Sequence, residues 1–289
     1  MCRILTIFKG SGVALITPML QDGSVDFDKL KELAEWHVQQ GTTGEASTLD
    51  DEEHIAVIEA VVQQVAGRIP VIGGTGSNNT QHGIYLSQEA QRVGADALLV
   101  VTPYYNKATK RSLVAHYEAI CQSVDLPVIL YSVASRTGLN LTPDAVAELK
   151  KIPNIKGIKE ASGDISQIAE IARLADDDFA LYSGNDDQVT PILALGGAGV
   201  ISTIANIAPK QTAKLVADFL EGDLQPAIQE QLKQKPLIDA IFREVNPVPI
   251  KAAVSLLGKC DLHYRLPLGM PEDATLVHLE EEMTAYGLL

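Results

Sequence analysis

The sequence predicts an α/β fold, a TIM (β/α)8 barrel with a C-terminal helical extension, on three observations. Short apolar runs rich in Val and Ile, such as "GVALITP", "IPVIGG" and "ADALLVV", alternate with longer stretches of helical period. These runs lack the strict polar alternation of a half-solvated sheet, which marks parallel strands covered on both faces. From Pro209 onward only helical patterns remain, and 289 residues accommodate one barrel of about 250 residues with a tail. Residues 1–221 are read as the barrel and 222–289 as a helical tail packed on it.

The first strand, near Val13, leads into "DFDKLKELAEWHVQQG", where Asp26 caps, Leu30, Leu33 and Ala34 with Trp36 or His37 form a stripe, and Gly41 stops the helix. "TLDDEEHIAVIEAVVQQVAG" opens with Thr48 and Asp51 in capping-box spacing, sets Ile55, Ile58, Val62 and Val65 on one face and stops at Gly67. Further strands begin near Val71, Ala97, Val128, Ile155, Ala180 and Val200. Helices fall between them from about Lys110 to Ser123, from Thr142 and Pro143 to Lys151, from Asp164 to Ala175 and through Leu195. Tail helices lie near 209–221, 224–243, 247–258 and 272–286.

Seven strand starts are visible, and the interval from Val13 to Val71 is about twice any other. An eight-stranded barrel needs a strand inside it, just before "GTTGEAS", where the chain has "AEWHVQQ". The first helix belongs at the bottom of the barrel and the turn at the top, a crossing of roughly five residues at ~3.3 Å each. Either "EWHVQQ" unwinds into a strand and buries His37, Gln39 or Gln40, or the second strand is deleted and the barrel distorted there.

Charge and cysteine usage narrow the function classes. With 37 acidic against 23 basic residues, a net −14, the molecule repels a phosphate backbone and an anionic membrane surface. Neither nucleic acid nor membrane is expected as a partner. Cys2, Cys121 and Cys260 are scattered and odd in number, which suggests neither a disulfide framework nor a zinc cage. The opening "MCRILTIFKG" is too short an apolar run for a signal peptide, so the expected location is cytoplasmic. Six histidines show no HxH or HExxH spacing, no metal is expected, and no GxSxG elbow is found. "GGTGSNNT" lacks the third glycine of a dinucleotide loop and reads as a capped turn.

In a parallel barrel the working groups sit at the C-terminal ends of strands. Lys159 ends the run "NIKGIK", and an amine in dry surroundings is more readily the neutral nucleophile that forms a Schiff base. The competing reading is a lysine that snorkels off the strand end and pairs with Glu160. Tyr131 ends "PVILY" and is either a proton shuttle or a half-buried aromatic. Arg136 suits bidentate capture of a carboxylate, or is a solvated surface charge. Tyr104 and Tyr105 are adjacent and cannot both face one way on a strand, so one reaches outward, for example to a neighbouring subunit.

Taken in order, "GTTGEAS", "TPYYNK", "LYSVASRTG", "GIKEASGD", "YSGND" and "GVISTIAN" closely resemble the dihydrodipicolinate synthases of the pyruvate-dependent class I aldolase superfamily. The resemblance runs from about Gly10 to the C-terminus. It implies that Lys159 condenses with pyruvate and that the enamine attacks L-aspartate-4-semialdehyde, giving 4-hydroxy-tetrahydrodipicolinate for lysine and diaminopimelate synthesis without a cofactor. Tyr131 is then the general acid/base, linked through Thr42 to Tyr105 of an adjoining subunit. Thr42 and Thr43 hold the pyruvate carboxylate, Arg136 that of the semialdehyde, and Gly184 and Ile201 line the pocket.

A homotetramer built from tight dimers is implied as well. Sister branches, such as N-acetylneuraminate lyase and keto-deoxy-sugar-acid aldolases, generally lack the arginine and the double threonine. Ser47, His54, Asn78 and Tyr104 match positions of an allosteric lysine cleft, where His82 replaces an acidic residue. After Tyr131 the family usually reads Asn-Val-Pro, against Ser132, Val133 and Ala134 here, so the Arg136 loop is expected to loosen. The absent second strand leaves a catalytically impaired barrel protein as a further alternative.

Overall fold

The computed structural model describes residues 7–40 and 49–289. Seven strands form one sheet: β1 (Gly10–Val13), β2 (Ile72–Gly74), β3 (Ala97–Val101), β4 (Val128–Ser132), β5 (Ile155–Glu160), β6 (Ala180–Ser183) and β7 (Gly199–Ser202). Their order is β1-β7-β6-β5-β4-β3-β2, and β2 to β7 pair in parallel. The fold is α/β with a parallel sheet. Among the described residues there are seven strands, not the eight expected.

Helices α1 (Phe27–Gln40) and α2 (Asp51–Val65) precede β2. Between the later strands come α3 (Thr80–Arg92), α4 (Lys110–Cys121), the short α5 (Ala134–Thr137), α6 (Pro143–Leu149), α7 (Ile165–Ala172) and α8 (Val189–Ala194). After β7 follow α9 (Pro209–Glu221), α10 (Leu224–Ile241), α11 (Val248–Leu256) and α12 (Asp273–Tyr286), close to the tail expected from sequence.

The chain divides into two compact units. One comprises Pro70–Ile201 and the residues up to Gly10. Its inward layer is apolar, with Ile72, Ala97, Ile129, Ala180, Tyr182 and Ile201 buried together, and Phe8 stacks on Tyr182 at 4.5 Å. The Tyr182 hydroxyl donates to the Phe8 carbonyl at 2.8 Å, so its polar end is satisfied and the ring can be buried. On the other face α3 packs on α4, α4 on α6 and α6 on α7.

The second unit comprises Ser11–Ile69 and Ser202–Leu289. Its core joins Leu15, Ile16, Leu30 and Leu33 to Ile204, Ile238, Ala253 and Met283. Buried Asn206 joins the two segments: its Oδ1 accepts from Ile16 N–H at 3.1 Å and its Nδ2 donates to the Ala14 carbonyl at 2.7 Å. These bonds satisfy the backbone just beyond β1, where no strand partner would.

Helix α1 runs unbroken to Gln40, so "EWHVQQ" does not unwind into a strand. The reason lies in its side chains. Glu35 takes a two-pronged pairing from Arg68 at 2.9 and 2.6 Å and a bond from Gln64, while Trp36 lies under the Lys259 amine at 4.0 Å. His37 is buried on the helix face that carries Leu30, Leu33 and Ala34. Each contact holds only with helical spacing. The capping box of α2 is also two residues from its expected place, because Asp50 accepts from Glu53 N–H and Glu53 reaches back to Asp50 N–H. Thr48 lies outside the described residues.

Candidate active site

Tyr131 and Lys159 are register partners on β4 and β5, so their side chains leave the same face of the sheet. That match depends on an irregularity. Val128 pairs with Ile155 but Ile129 with Gly157, leaving Lys156 without a partner on β4. The extra residue reverses the alternation of β5, and Lys159 thereby shares the inward face of Gly157 and Ile129.

Lys159 is 4% exposed, and its Nζ lies 4.3 Å from the centroid of the Tyr131 ring. Among the described residues this amine has no ion pair with Glu160. The snorkelling alternative is thus overturned, because alternation sends Glu160 to the opposite face, beside its register partner Ser132.

Glycines make room for the lysine. A Cβ at Gly184 would stand 3.1 Å from Lys159 Cγ and 2.7 Å from the Ala161 Cβ, while the Gly184 N–H donates to the Glu160 carbonyl at 2.8 Å. A Cβ at Gly157 would meet the Ala180 carbonyl oxygen at 2.7 Å, so only glycine lets β5 and β6 approach there. Ile201 is buried in the same unit, in the apolar layer that includes Tyr182.

Arg136 is exposed on α5, directly after β4. The loosening expected from the missing proline does not occur in the backbone. Arg136 and Thr137 N–H groups both donate to the Val133 carbonyl, and Gly138, at φ 70°, closes the turn by donating to Ala134. Beneath it the buried Thr102 hydroxyl donates to Thr137 Oγ1 at 3.1 Å. The Tyr105 N–H bonds the Thr137 carbonyl at 3.1 Å. Tyr105 itself has a left-handed backbone, φ 72°, and is 87% exposed. Its ring is presented outward.

Thr42, Thr43 and Ser47 lie outside the described residues. Asn78 and the 104–106 loop are joined by a bond from Asn106 Nδ2 to the Asn78 carbonyl at 2.7 Å, close in sequence to exposed Tyr104. His82, near the start of α3, lies with Nδ1 3.0 Å from the Ser77 hydroxyl. His54 stands on α2, in the other unit.

Sequence reasoning missed a polar group on the outward face: Glu160, Ser132, Asn140 and Gln167. Glu160 is fully buried, and burial raises its carboxyl pKa above the usual range against hydrogen bonds from Ser162 and Gln167 that lower it. The signal available was the parity of "YS" against "KE", but the bulge at Lys156 hides it.

Comparison with known proteins agrees with this geometry. The model of the dihydrodipicolinate synthetase family matches residues 7–285. A 4-hydroxy-tetrahydrodipicolinate synthase of Thermoanaerobacter sp. (strain X514) is 51% identical over 294 residues, 99% of each chain. That stretch is longer than this 289-residue chain, so some of its positions have no counterpart here. Among solved structures, the chloride-inhibited dihydrodipicolinate synthase of Acinetobacter baumannii complexed with pyruvate is 41% identical, with a TM-score of 0.95 over 98% of this chain and 100% of that one. The enzyme of Cyanidioschyzon merolae with lysine bound is 34% identical, with a TM-score of 0.94 over 98% and 100%.

Proposed function

Because this chain belongs to the dihydrodipicolinate synthetase family, we propose that it condenses pyruvate with L-aspartate-4-semialdehyde to 4-hydroxy-tetrahydrodipicolinate, a step of lysine and diaminopimelate synthesis. The observation that carries this reading is the buried Lys159 amine held 4.3 Å from the Tyr131 ring. The pyruvate-bound relative supports the keto acid as first substrate.

Lys159 Nζ attacks the ketone carbon of pyruvate, and the carbonyl oxygen leaves as water once protonated. Loss of a proton from the methyl group converts the iminium to an enamine, which forms the new C–C bond to the aldehyde carbon of the semialdehyde. The substrate amine then adds to the imine carbon, closes the ring and releases Lys159. Each step moves a proton, and Tyr131 is the group beside the amine able to carry it.

Thr42 links Tyr131 to Tyr105 from an adjoining copy. Thr42 and Thr43 hold the pyruvate carboxylate, Arg136 the carboxylate of the semialdehyde, and Gly184 and Ile201 shape the pocket. The outward ring of Tyr105 supports an assembly in which it completes a neighbour's site, within a homotetramer of paired dimers. The resemblance assigns Ser47, His54, Asn78, His82 and Tyr104 as candidate effector-contacting residues, a reading supported by the lysine-bound relative. No described helix is long and apolar enough to cross a membrane, and we assign the protein to the cytoplasm.

Borohydride reduction in the presence of pyruvate, followed by peptide mass mapping, tests the assignment. A reduced adduct on Lys159, with turnover of the semialdehyde, is expected. Cleavage of sugar acids with no semialdehyde turnover would move the chain to a sister aldolase, and no adduct at all would remove the Schiff-base mechanism.

A further inference from the structure

Behind Tyr131 and Lys159, the next residue of each strand points the other way, and Ser132 and Glu160 face each other as register partners. Glu160 Oε1 accepts from the Ser162 N–H at 2.9 Å and from Gln167 Nε2 at 3.3 Å. Gln167 in turn exchanges two bonds with Asn140, at 2.6 and 3.2 Å. The Ser132 hydroxyl donates to Asn140 Oδ1 at 3.4 Å and accepts from Leu141 N–H at 3.3 Å.

The result is a continuous chain of bonds that ties both ends of the 132–141 segment to β5 and α7. Arg136 sits in the middle of that segment. Glu160 is 0% exposed, its Oε2 has no hydrogen-bond partner, and no ion pair compensates it among the described residues. An apolar side chain of similar size would avoid that desolvation cost, so the carboxyl is costly to stability and its worth must lie elsewhere. Burial raises its pKa, which favours the neutral form, and a protonated Oε2 would be the less costly orphan.

We propose that Glu160 is a positioning residue for the second substrate: through Gln167, Asn140 and Ser132 it fixes the loop that aims Arg136 at the semialdehyde carboxylate. This role rests on the reaction proposed above. It predicts a split between the two substrates. Lys159 is set by the backbone of β5, which keeps its own bonds from Gly184 to the Glu160 carbonyl and from Ala161 to the Ser132 carbonyl. Loss of the side-chain bonds therefore disturbs Arg136 and spares the amine.

The test compares Glu160→Leu, Glu160→Gln and the exposed Asn140→Ala for pyruvate trapping, for both KM values and for kcat. Asn140→Ala and Glu160→Leu are expected to raise KM for the semialdehyde about tenfold or more, with pyruvate trapping and pyruvate KM within about twofold of the parent. Glu160→Gln, which keeps the acceptor and the shape, should return the semialdehyde KM to within about threefold. If Glu160→Leu fails to fold, Asn140→Ala still decides, because its side chain lies at the surface. Equal changes for both substrates, or no change for either, overturn the positioning role while leaving the reaction intact. A parent protein that does not trap pyruvate overturns the reaction and this role together.

Discussion

Gly184 gives the sharpest test of the surroundings of Lys159, the proposed nucleophile. Alanine there puts a Cβ 2.7 Å from the Ala161 Cβ and 3.1 Å from Lys159 Cγ, and the lysine stem is the softer neighbour, so it moves. Gly184→Ala is expected to slow pyruvate trapping about tenfold or more while lowering stability by about 1–3 kcal/mol, checked by timed borohydride quenching and a thermal melt. The lysine stands out in the sequence as a candidate, since it ends an apolar run where barrel chemistry gathers, and its proposed role comes from the family resemblance. Its orientation was not legible, because counting by twos along β5 fails at Lys156, and a reader of "KE" has no local cue to the extra residue. Arg136 was legible as a candidate, yet the threonine pair that braces its turn, Thr102 just after β3 and Thr137 at the end of α5, lies far apart in sequence and meets only in the folded chain.

Helix α1 carries a pH-dependent element. Burial, and next the charge of Lys259, lowers the pKa of His37 from its ordinary 6.5 to about 3. In the unfolded chain the ring takes a proton near pH 6.5, while in the fold it does not until about pH 3, so the unfolded state binds more protons across that window. Stability is therefore lost as pH falls from 6.5 toward 3, at about 1.4 kcal/mol per unit, and His37 adds no slope above it. Urea titrations of the parent and of His37→Leu should show the variant losing less stability between pH 7 and pH 5, by on the order of 2 kcal/mol. Strand starts after the first, expected at Val13 where β1 in fact ends, and the tail helices could be read to within about two residues, because their apolar runs are clearly bounded. The fate of "EWHVQQ" could not, since its helical state depends on Arg68 and Lys259, partners far along the chain.

At the scale of the whole molecule, the role proposed for the outward Tyr105 would make catalysis a property of an assembly. If each site joins Lys159 of one copy to Tyr105 of another, Lys159→Ala and Tyr105→Phe preparations, each nearly inactive, should recover roughly a quarter of the parent activity after mixing and subunit exchange. Recovery absent despite exchange, seen by native mass spectrometry, would confine each site to one copy. The interleaving of the two compact units has a further consequence, for biosynthesis. The unit that opens with Ser11–Ile69 is completed by Ser202–Leu289, and Arg265 donates to the Gly23 carbonyl across 242 positions of chain. During translation the intervening Pro70–Ile201 emerges whole and can close its own local contacts first. The earliest segment must wait, its leucines and isoleucines uncovered, until the last helices leave the ribosome, so that nascent stretch is where a chaperone would be needed most.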